Sequence, residues 1–141
     1  MIIPHEKRKN YCFIMEMEVR DYELDCEQIV NNANYLHYME HARHVFCKEA
    51  GFPFIEMHRD GIDAVVRKID VEYIAPLMSG DNFMVGLSVS RQGAKFIFRE
   101  DIFKSDGTIV TKGIITCVVT KDGKVTRGNE LSDFFAPYFS D

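Results

Sequence analysis

The sequence contains no long run of apolar side chains. A helix that spans a membrane needs roughly 18 consecutive apolar residues, and no stretch of the 141-residue chain approaches that length. The opening residues, MIIPHEKRKNYC, also lack the continuous apolar segment of a secretory signal peptide. We therefore expect neither membrane insertion nor export.

The four cysteines lack the CxxC spacing that is typical of zinc sites and redox motifs. They are scattered along the chain, at positions Cys12, Cys26, Cys47 and Cys117. Isolated cysteines of this kind behave as small apolar groups in reducing compartments. We interpret them as reduced, mostly buried thiols of a cytoplasmic protein.

An excess of positive charge is missing as well. The formal net charge is −5, which argues against a general binder of nucleic acid or of an anionic membrane. Local basic clusters still allow the binding of a phosphorylated small molecule. The composition, 46% hydrophobic and 28% charged, is ordinary for a globular protein. Without linkers or repeats, the length predicts one domain over residues 1–141.

The spacing of the apolar side chains changes near residue 30. Residues 13–19 alternate between apolar and polar side chains, which predicts a strand. Apolar residues then recur at steps of three and four, which predicts a helix with one buried face: Tyr35, Met39, Ala42, Phe46 and Ala50. Asn31 or Asn32 is placed to cap this helix, and Gly51 is placed to end it.

Strands dominate the rest of the chain. Four are predicted from β-branched and aromatic residues, over residues 64–74, 82–90, 95–103 and 109–120. Turn sequences around Gly93, Gly107 and Gly123 predict hairpins. Successive hairpins form an antiparallel sheet, and one helix with a broad apolar surface is best buried by a curved sheet. We therefore predict an α+β domain, in which a curved antiparallel β-sheet wraps a long central helix.

Two motifs within this pattern carry a family resemblance. The first consists of Asp25, Val30, Asn31, Asn32, Tyr35, Tyr38, Glu40, Ala42 and Arg43. The second, in the strand after the helix, consists of Val65-Val66-Arg67-Lys68 with Val71, Tyr73, Pro76, Gly80 and Asp81. Together they resemble the hot-dog-fold acyl-CoA thioesterases, and most closely the 4-hydroxybenzoyl-CoA thioesterase type.

The resemblance implies a hot-dog fold whose subunits join their sheets, as a dimer or a homotetramer, with active sites at the subunit interface. It also implies hydrolysis of an acyl thioester without cofactor or metal. Asp25 matches the catalytic aspartate of the family. The backbone N–H groups of Asn31 and Asn32 match the helix start that receives the thioester carbonyl. Arg91 and Lys95 flank a turn where relatives often place basic residues against the CoA phosphates.

The loop around Asp25 departs from the family pattern at several positions. Relatives often have two acids spaced Asp-x-Asp, and the first of them is Glu23 here. Gln28 replaces a common glycine, which leaves the shape of the loop open. Plant-type acyl-carrier-protein thioesterases add Asn and His after the aspartate. Glu27 and Ile29 match neither, which disfavours that subgroup.

Thioester chemistry explains why an acid stands just before a helix start. The reaction needs an attacking oxygen and a donor for the developing oxyanion. A helix N-terminus offers free N–H groups and partial positive charge, and Asp25 beside it would either attack or activate a water molecule. The sequence leaves both routes open. It also leaves open a simpler role for Asp25 as a partner of the helix dipole.

Other residues are secondary candidates. Glu40 is the reserve catalytic acid, because some hot-dog enzymes use an acid on this helix; the alternative is a surface pair with Arg43. His37, Glu40 and His41 match the inverted zinc-peptidase pattern, which is short enough to occur by chance. Cys26 has no neighbouring histidine to activate it as a nucleophile.

We predict a cytoplasmic acyl-CoA thioesterase that binds neither nucleic acid nor membrane. Tyr35 is assigned to substrate binding, with an ordinary core position as the alternative. Two other functions stay open, an acyl-carrier-protein thioesterase and a non-enzymatic acyl-thioester-binding protein. A hot-dog dehydratase is disfavoured because it needs a histidine beside its acid, and residues 25–34 contain none.

Overall fold

Six antiparallel strands form one sheet in the computed structural model, which describes residues 10–140. The strands are β1 (Phe13–Glu18), β2 (Ile62–Tyr73), β3 (Asn82–Gln92), β4 (Lys95–Lys104), β5 (Ile109–Lys121) and β6 (Lys124–Val125). Their order across the sheet is β1-β3-β4-β5-β2, and β6 pairs with β5. Most of the opening segment on which the export prediction rests lies outside the described residues.

The helix α1 (Asn32–Glu49) begins where the sequence predicts it. Asn31 caps it, because its side chain accepts a hydrogen bond of 3.0 Å from the N–H of Ala33. The chain turns away at Gly51, whose φ of +81° is the left-handed conformation that ends many helices. The predicted residues Tyr35, Met39, Ala42 and Phe46 are buried against the sheet. The predicted α+β hot-dog architecture is therefore confirmed.

The strand β2 occupies a different place from the one that the hairpin pattern predicts. The β3–β4, β4–β5 and β5–β6 hairpins are present, and Gly93, Gly107 and Gly123 adopt positive φ in their turns. β2, however, pairs with β5 rather than with its sequence neighbour β3. Both edges of β3 are taken by β1 and β4, so residues 74–81 carry the chain across to the other side.

The uncovered edge of β2 exposes apolar side chains. Val66, Ile69 and Tyr73 are 42%, 43% and 47% exposed, and each borders a cavity beside α1. Among residues 10–140, no strand pairs with the outer edge of β2. A long apolar edge strand of this kind is a template for pairing with another chain. Its exposure supports the predicted homo-oligomer.

Several elements were not predicted from the sequence. They are the helix α3 (Asn129–Phe135) and two 3-10 turns, over Asp21–Glu23 and Ala136–Tyr138. The short helix α2 (Phe54–Arg59) falls in a segment for which the sequence allows irregular or helical structure. These pieces are too short to show a clear periodicity. Phe135 of α3 is buried, and its ring stacks on those of Phe46 and Phe52. Among the described residues, no helix is both long and apolar enough to cross a membrane.

Candidate active site

A tight loop holds Asp25 just before α1. The N–H of Asp25 donates to the carbonyl of Ile29 at 2.8 Å, and the N–H of Gln28 donates to the carbonyl of Asp25 at 3.1 Å. The carboxylate Oδ1 accepts a hydrogen bond of 2.8 Å from the N–H of Glu27. No residue in the range 10–140 donates to Oδ2. One carboxylate oxygen is thus fixed, and the other is available for chemistry.

Gln28 keeps the loop shape that a glycine would favour. Its φ is +64°, in the left-handed region, although a side chain there costs about 1 kcal/mol. The hydrogen bonds of Asp25 on both sides of the turn hold this conformation. Gln28 therefore adopts a left-handed φ that glycine would reach without strain.

The start of α1 has one unused backbone N–H. The N–H of Ala33 is bound by the side chain of Asn31, and that of Asn34 by the carbonyl of Asn31. The N–H of Asn31, predicted as an oxyanion donor, instead donates to the carbonyl of Glu23 at 2.9 Å. That bond closes the loop and removes Asn31 as a donor. Asn32, the other predicted donor, has no N–H partner within the described part of the chain.

Glu23 fastens the loop to the helix. Its buried carboxylate accepts hydrogen bonds from the hydroxyl of Tyr38 at 2.8 Å and from the N–H of Arg20 at 2.7 Å. Its carbonyl also accepts from the side-chain amide of Asn34. Burial raises the pKa of Tyr38, and the Glu23 carboxylate raises it further, so Tyr38 stays the donor. A residue noted only as a departure from the family pattern therefore positions the loop.

A cavity of about 260 Å³ opens beside the free N–H of Asn32. Tyr35 and Tyr73 line it, with ring centroids 5.5 Å apart, and the Tyr73 hydroxyl donates to the carbonyl of Asn32 at 3.2 Å. The Tyr35 hydroxyl accepts from the N–H of Leu77. Burial raises the pKa of Tyr35, and the negative charge of Asp25 adds to the effect. Tyr73, for which the sequence predicts no role, belongs to the same site.

A larger cavity of about 500 Å³ lies along α1, between the helix and the strands β2 and β5. Glu40 and His44 border it, with Oε1 and Nε2 3.8 Å apart and both side chains more than half exposed. Its apolar walls include Leu36, Val66, Ile69, Phe98 and Phe135. The structure thus separates Glu40, the reserve acid, from the loop that carries Asp25.

Arg43 does not form the surface pair with Glu40 that the sequence suggested. Its Nη1 donates to Oε1 of Glu100 at 2.9 Å, and the two side chains are 11% and 0% exposed. Arg43 falls on the buried side of α1, next to Ala42 in the chain, and so reaches β4. Burial raises the pKa of Glu100 to about 8, against the opposing charge of Arg43.

Arg91 and Lys95, the two residues predicted to contact the CoA phosphates, also lie in different surroundings. Arg91 uses its guanidinium to hold the C-terminal segment, through the acceptors Gly93 O, Arg127 O and Asn129 Oδ1 at 2.8, 2.6 and 2.9 Å. Lys95 lines a surface groove together with Arg67 and Lys68. Arg67 and Lys68 belong to the second sequence motif, so the sequence did contain a signal for this groove.

The remaining reactive side chains do not converge. Within residues 10–140, no three His, Cys, Asp or Glu side chains are grouped as metal ligands would be. All four cysteines are free; Cys47 and Cys117 are buried, whereas Cys12 and Cys26 are exposed. The prediction of mostly buried cysteines is therefore wrong for half of them.

Comparison with known proteins decides the family. The family model described as the thioesterase superfamily matches residues 27–110. The chain belongs to this superfamily. A putative acyl-CoA thioesterase of Bacillus subtilis is 33% identical over 69% of this chain and 71% of its own length.

Two further proteins that this chain matches are also named as thioesterases. An acyl-acyl carrier protein thioesterase of Arabidopsis thaliana is 38% identical over 64% of this chain and 48% of its own length. The chain spans about half the length of the plant relatives that it matches. A solved structure of a probable thioesterase from Escherichia coli superposes with a TM-score of 0.77 at 26% identity, covering 90% of this chain and 98% of that one.

Proposed function

We propose that this protein hydrolyses acyl-CoA thioesters to a carboxylic acid and free CoA. Membership of the thioesterase superfamily supports hydrolysis of a thioester as the class of reaction. The observation that carries the proposal is the start of α1, where Asp25 in the preceding loop keeps one free carboxylate oxygen and the unused N–H of Asn32 borders a cavity. These are the attacking or activating group and the oxyanion donor that the reaction needs.

The geometry supports a simple mechanism. The N–H of Asn32 points from the positive end of the helix dipole and stabilises the oxyanion formed from the thioester carbonyl. Asp25 takes a proton from the attacking water, or attacks directly to form an anhydride that water then hydrolyses. In both routes the C–S bond breaks and CoA leaves as the thiolate. The chemistry requires no cofactor.

Coenzyme A is the proposed acyl carrier, and acyl carrier protein is the second candidate. The Bacillus relative is named for acyl-CoA, whereas the Arabidopsis relatives are named for acyl carrier protein. That plant match restores an alternative that the residues after Asp25 disfavoured. The groove of Lys95, Arg67 and Lys68 favours CoA, because a cluster of cations suits the phosphates of its nucleotide.

We expect the double change Arg67→Ala and Lys95→Ala to raise KM for an acyl-CoA by about tenfold and to leave kcat nearly intact. The groove would bind the nucleotide equally in the ground state and the transition state, and losing such uniform binding changes KM alone. Steady-state kinetics with the matching acyl-pantetheine, which lacks the nucleotide, provides the control and should show no change. An unaltered KM for acyl-CoA would assign both cations to the solvated surface.

We also propose that the active form is a homo-oligomer, built by pairing the β2 edges of two subunits, in the cytoplasm. The exposed apolar side chains of β2 support the pairing, and dimers of this kind associate again into tetramers in the family that the sequence resembles. The free state of the four cysteines supports a reducing compartment.

A thiol-release assay tests the proposed function directly. The purified protein is given one acyl group as the CoA thioester and as the carrier-protein thioester, and a free-thiol dye reports hydrolysis. We expect a higher kcat/KM for acyl-CoA. Hydrolysis confined to the carrier-protein substrate would establish the second candidate. Tight binding without thiol release from either would instead establish an acyl-thioester-binding protein.

A further inference from the structure

The larger cavity is placed to receive the acyl group of the proposed substrate. Leu36, Glu40, Arg43 and Cys47 line it from α1, so it follows one face of the helix for about 16 Å. The smaller cavity at Asn32 lies between the same helix and the same strand, β2. An acyl chain whose carbonyl sits at the helix start would therefore extend along this seam. This assignment rests on the proposed function.

Arg43 is a charged residue in a cavity whose walls are mostly apolar. It is the one cation that is buried there, among apolar side chains such as Phe98, Leu131 and Phe135 in the described chain. Its guanidinium carries several N–H donors, but residues 10–140 supply one acceptor, Oε1 of Glu100. The remaining exposed part of the side chain borders the cavity. Arg43 thus has donors available to a molecule inside it.

The partner of Arg43 is also incompletely satisfied. Glu100 is fully buried, and its Oε2 has no hydrogen-bond partner among the described residues. Burying charged or polar groups that are incompletely paired is costly, and apolar residues in their place often stabilise a protein. This pair would therefore stabilise a purely structural link between α1 and β4 less well than apolar residues would. A ligand that supplies an acceptor to the remaining donors of Arg43 explains better why this pair borders the cavity.

We propose that Arg43 determines specificity by binding an oxygen acceptor near the far end of the acyl group. Side chains on a helix lean towards its N-terminus, so the guanidinium reaches back from Arg43 but still lies well beyond the thioester carbonyl. The substrate is then an acyl chain with a distal hydroxyl or carboxylate, rather than a plain saturated chain. Glu100 acts as a positioning residue that holds the guanidinium against the wall.

The unmodified protein provides the first test. Decanoyl-CoA, ω-hydroxydecanoyl-CoA and sebacoyl-CoA share one chain length and end in a methyl, a hydroxyl and a carboxylate. We expect at least one oxygenated substrate to exceed decanoyl-CoA in kcat/KM by about 10- to 100-fold, as one hydrogen bond to a charged group provides. An apolar pocket without such a donor gives the reverse order. The ranking of the two oxygenated substrates identifies the acceptor.

Variants assign any preference to Arg43. The double change Arg43→Met and Glu100→Met removes both charges together, which avoids leaving one buried and unpaired. We expect it to abolish the preference while decanoyl-CoA is still hydrolysed. His41→Ala, an exposed position of the same helix that does not line the cavity, is the matched control and should retain the preference.

The outcomes separate this inference from the proposed function. If decanoyl-CoA is hydrolysed as well as or better than both oxygenated substrates, the role of Arg43 is wrong and the thioesterase activity stands. If no CoA thioester is hydrolysed, the proposed function fails, and the inference fails with it. Should the double variant not fold, Arg43→Lys, which keeps the charge but loses the planar fork of donors, is expected to reduce the preference.

Discussion

Asp25→Asn is expected to lower kcat by on the order of 10²–10⁴-fold, the usual contribution of a positioned acid–base group. Asparagine has almost the same size, and its side-chain oxygen can still accept the N–H of Glu27 that fixes the loop. It cannot take a proton from water or attack as a carboxylate. Turnover and the thermal midpoint should be measured on one preparation, and the midpoint should barely move.

Glu27→Gln is the matched control for this change, because it neutralises an exposed carboxylate in the same loop. We expect it to leave kcat close to that of the unmodified protein. If Asp25 served only the helix dipole, Asp25→Asn would cost a fraction of a kcal/mol in stability, roughly 0.3–1, and would spare the rate. Near-normal turnover of the thioester would therefore exclude Asp25 as the acid–base group and transfer that role to Glu40.

Ile69→Asp should dissociate the proposed homo-oligomer into monomers. Ile69 is exposed on the apolar side of β2, whose outer edge has no partner strand within residues 10–140. In a symmetric dimer the change introduces two carboxylates into one interface, and each would be desolvated without a partner. We expect the dissociation constant to rise at least about a hundredfold, which corresponds to ~3 kcal/mol. Light scattering over a range of protein concentrations measures it.

The matched control is Ile69→Val, which keeps an apolar β-branched side chain at the same position and should preserve the assembly. Because Ile69 also borders the larger cavity, the molecular mass decides this test and the activity is a secondary measurement. An unmodified protein that is fully active as a monomer at assay concentration would refute the interface on β2.

Local patterns in the sequence were sufficient for the individual elements. The spacing of Tyr35, Met39, Ala42 and Phe46 defined the helix face, and the Asn31 cap fixed its start. The glycine turns located the three hairpins, since φ angles of this sign are nearly free only for glycine. Asp25 and the helix start were found through the family motif. In each case the information lies within a few neighbouring residues.

Pairings between distant parts of the chain were decided only by the tertiary structure. The strand β2 joins β5 because β3 has no free edge, a fact that no local pattern in β2 contains. Arg43 donates a hydrogen bond to Glu100, 57 residues away, and the carbonyl of Glu23 accepts one from the N–H of Asn31. Arg91 is diverted to the C-terminal segment in the same way. Partners of this kind depend on which surfaces are brought together when the chain packs. That information is spread over the whole sequence, so no local pattern predicts it.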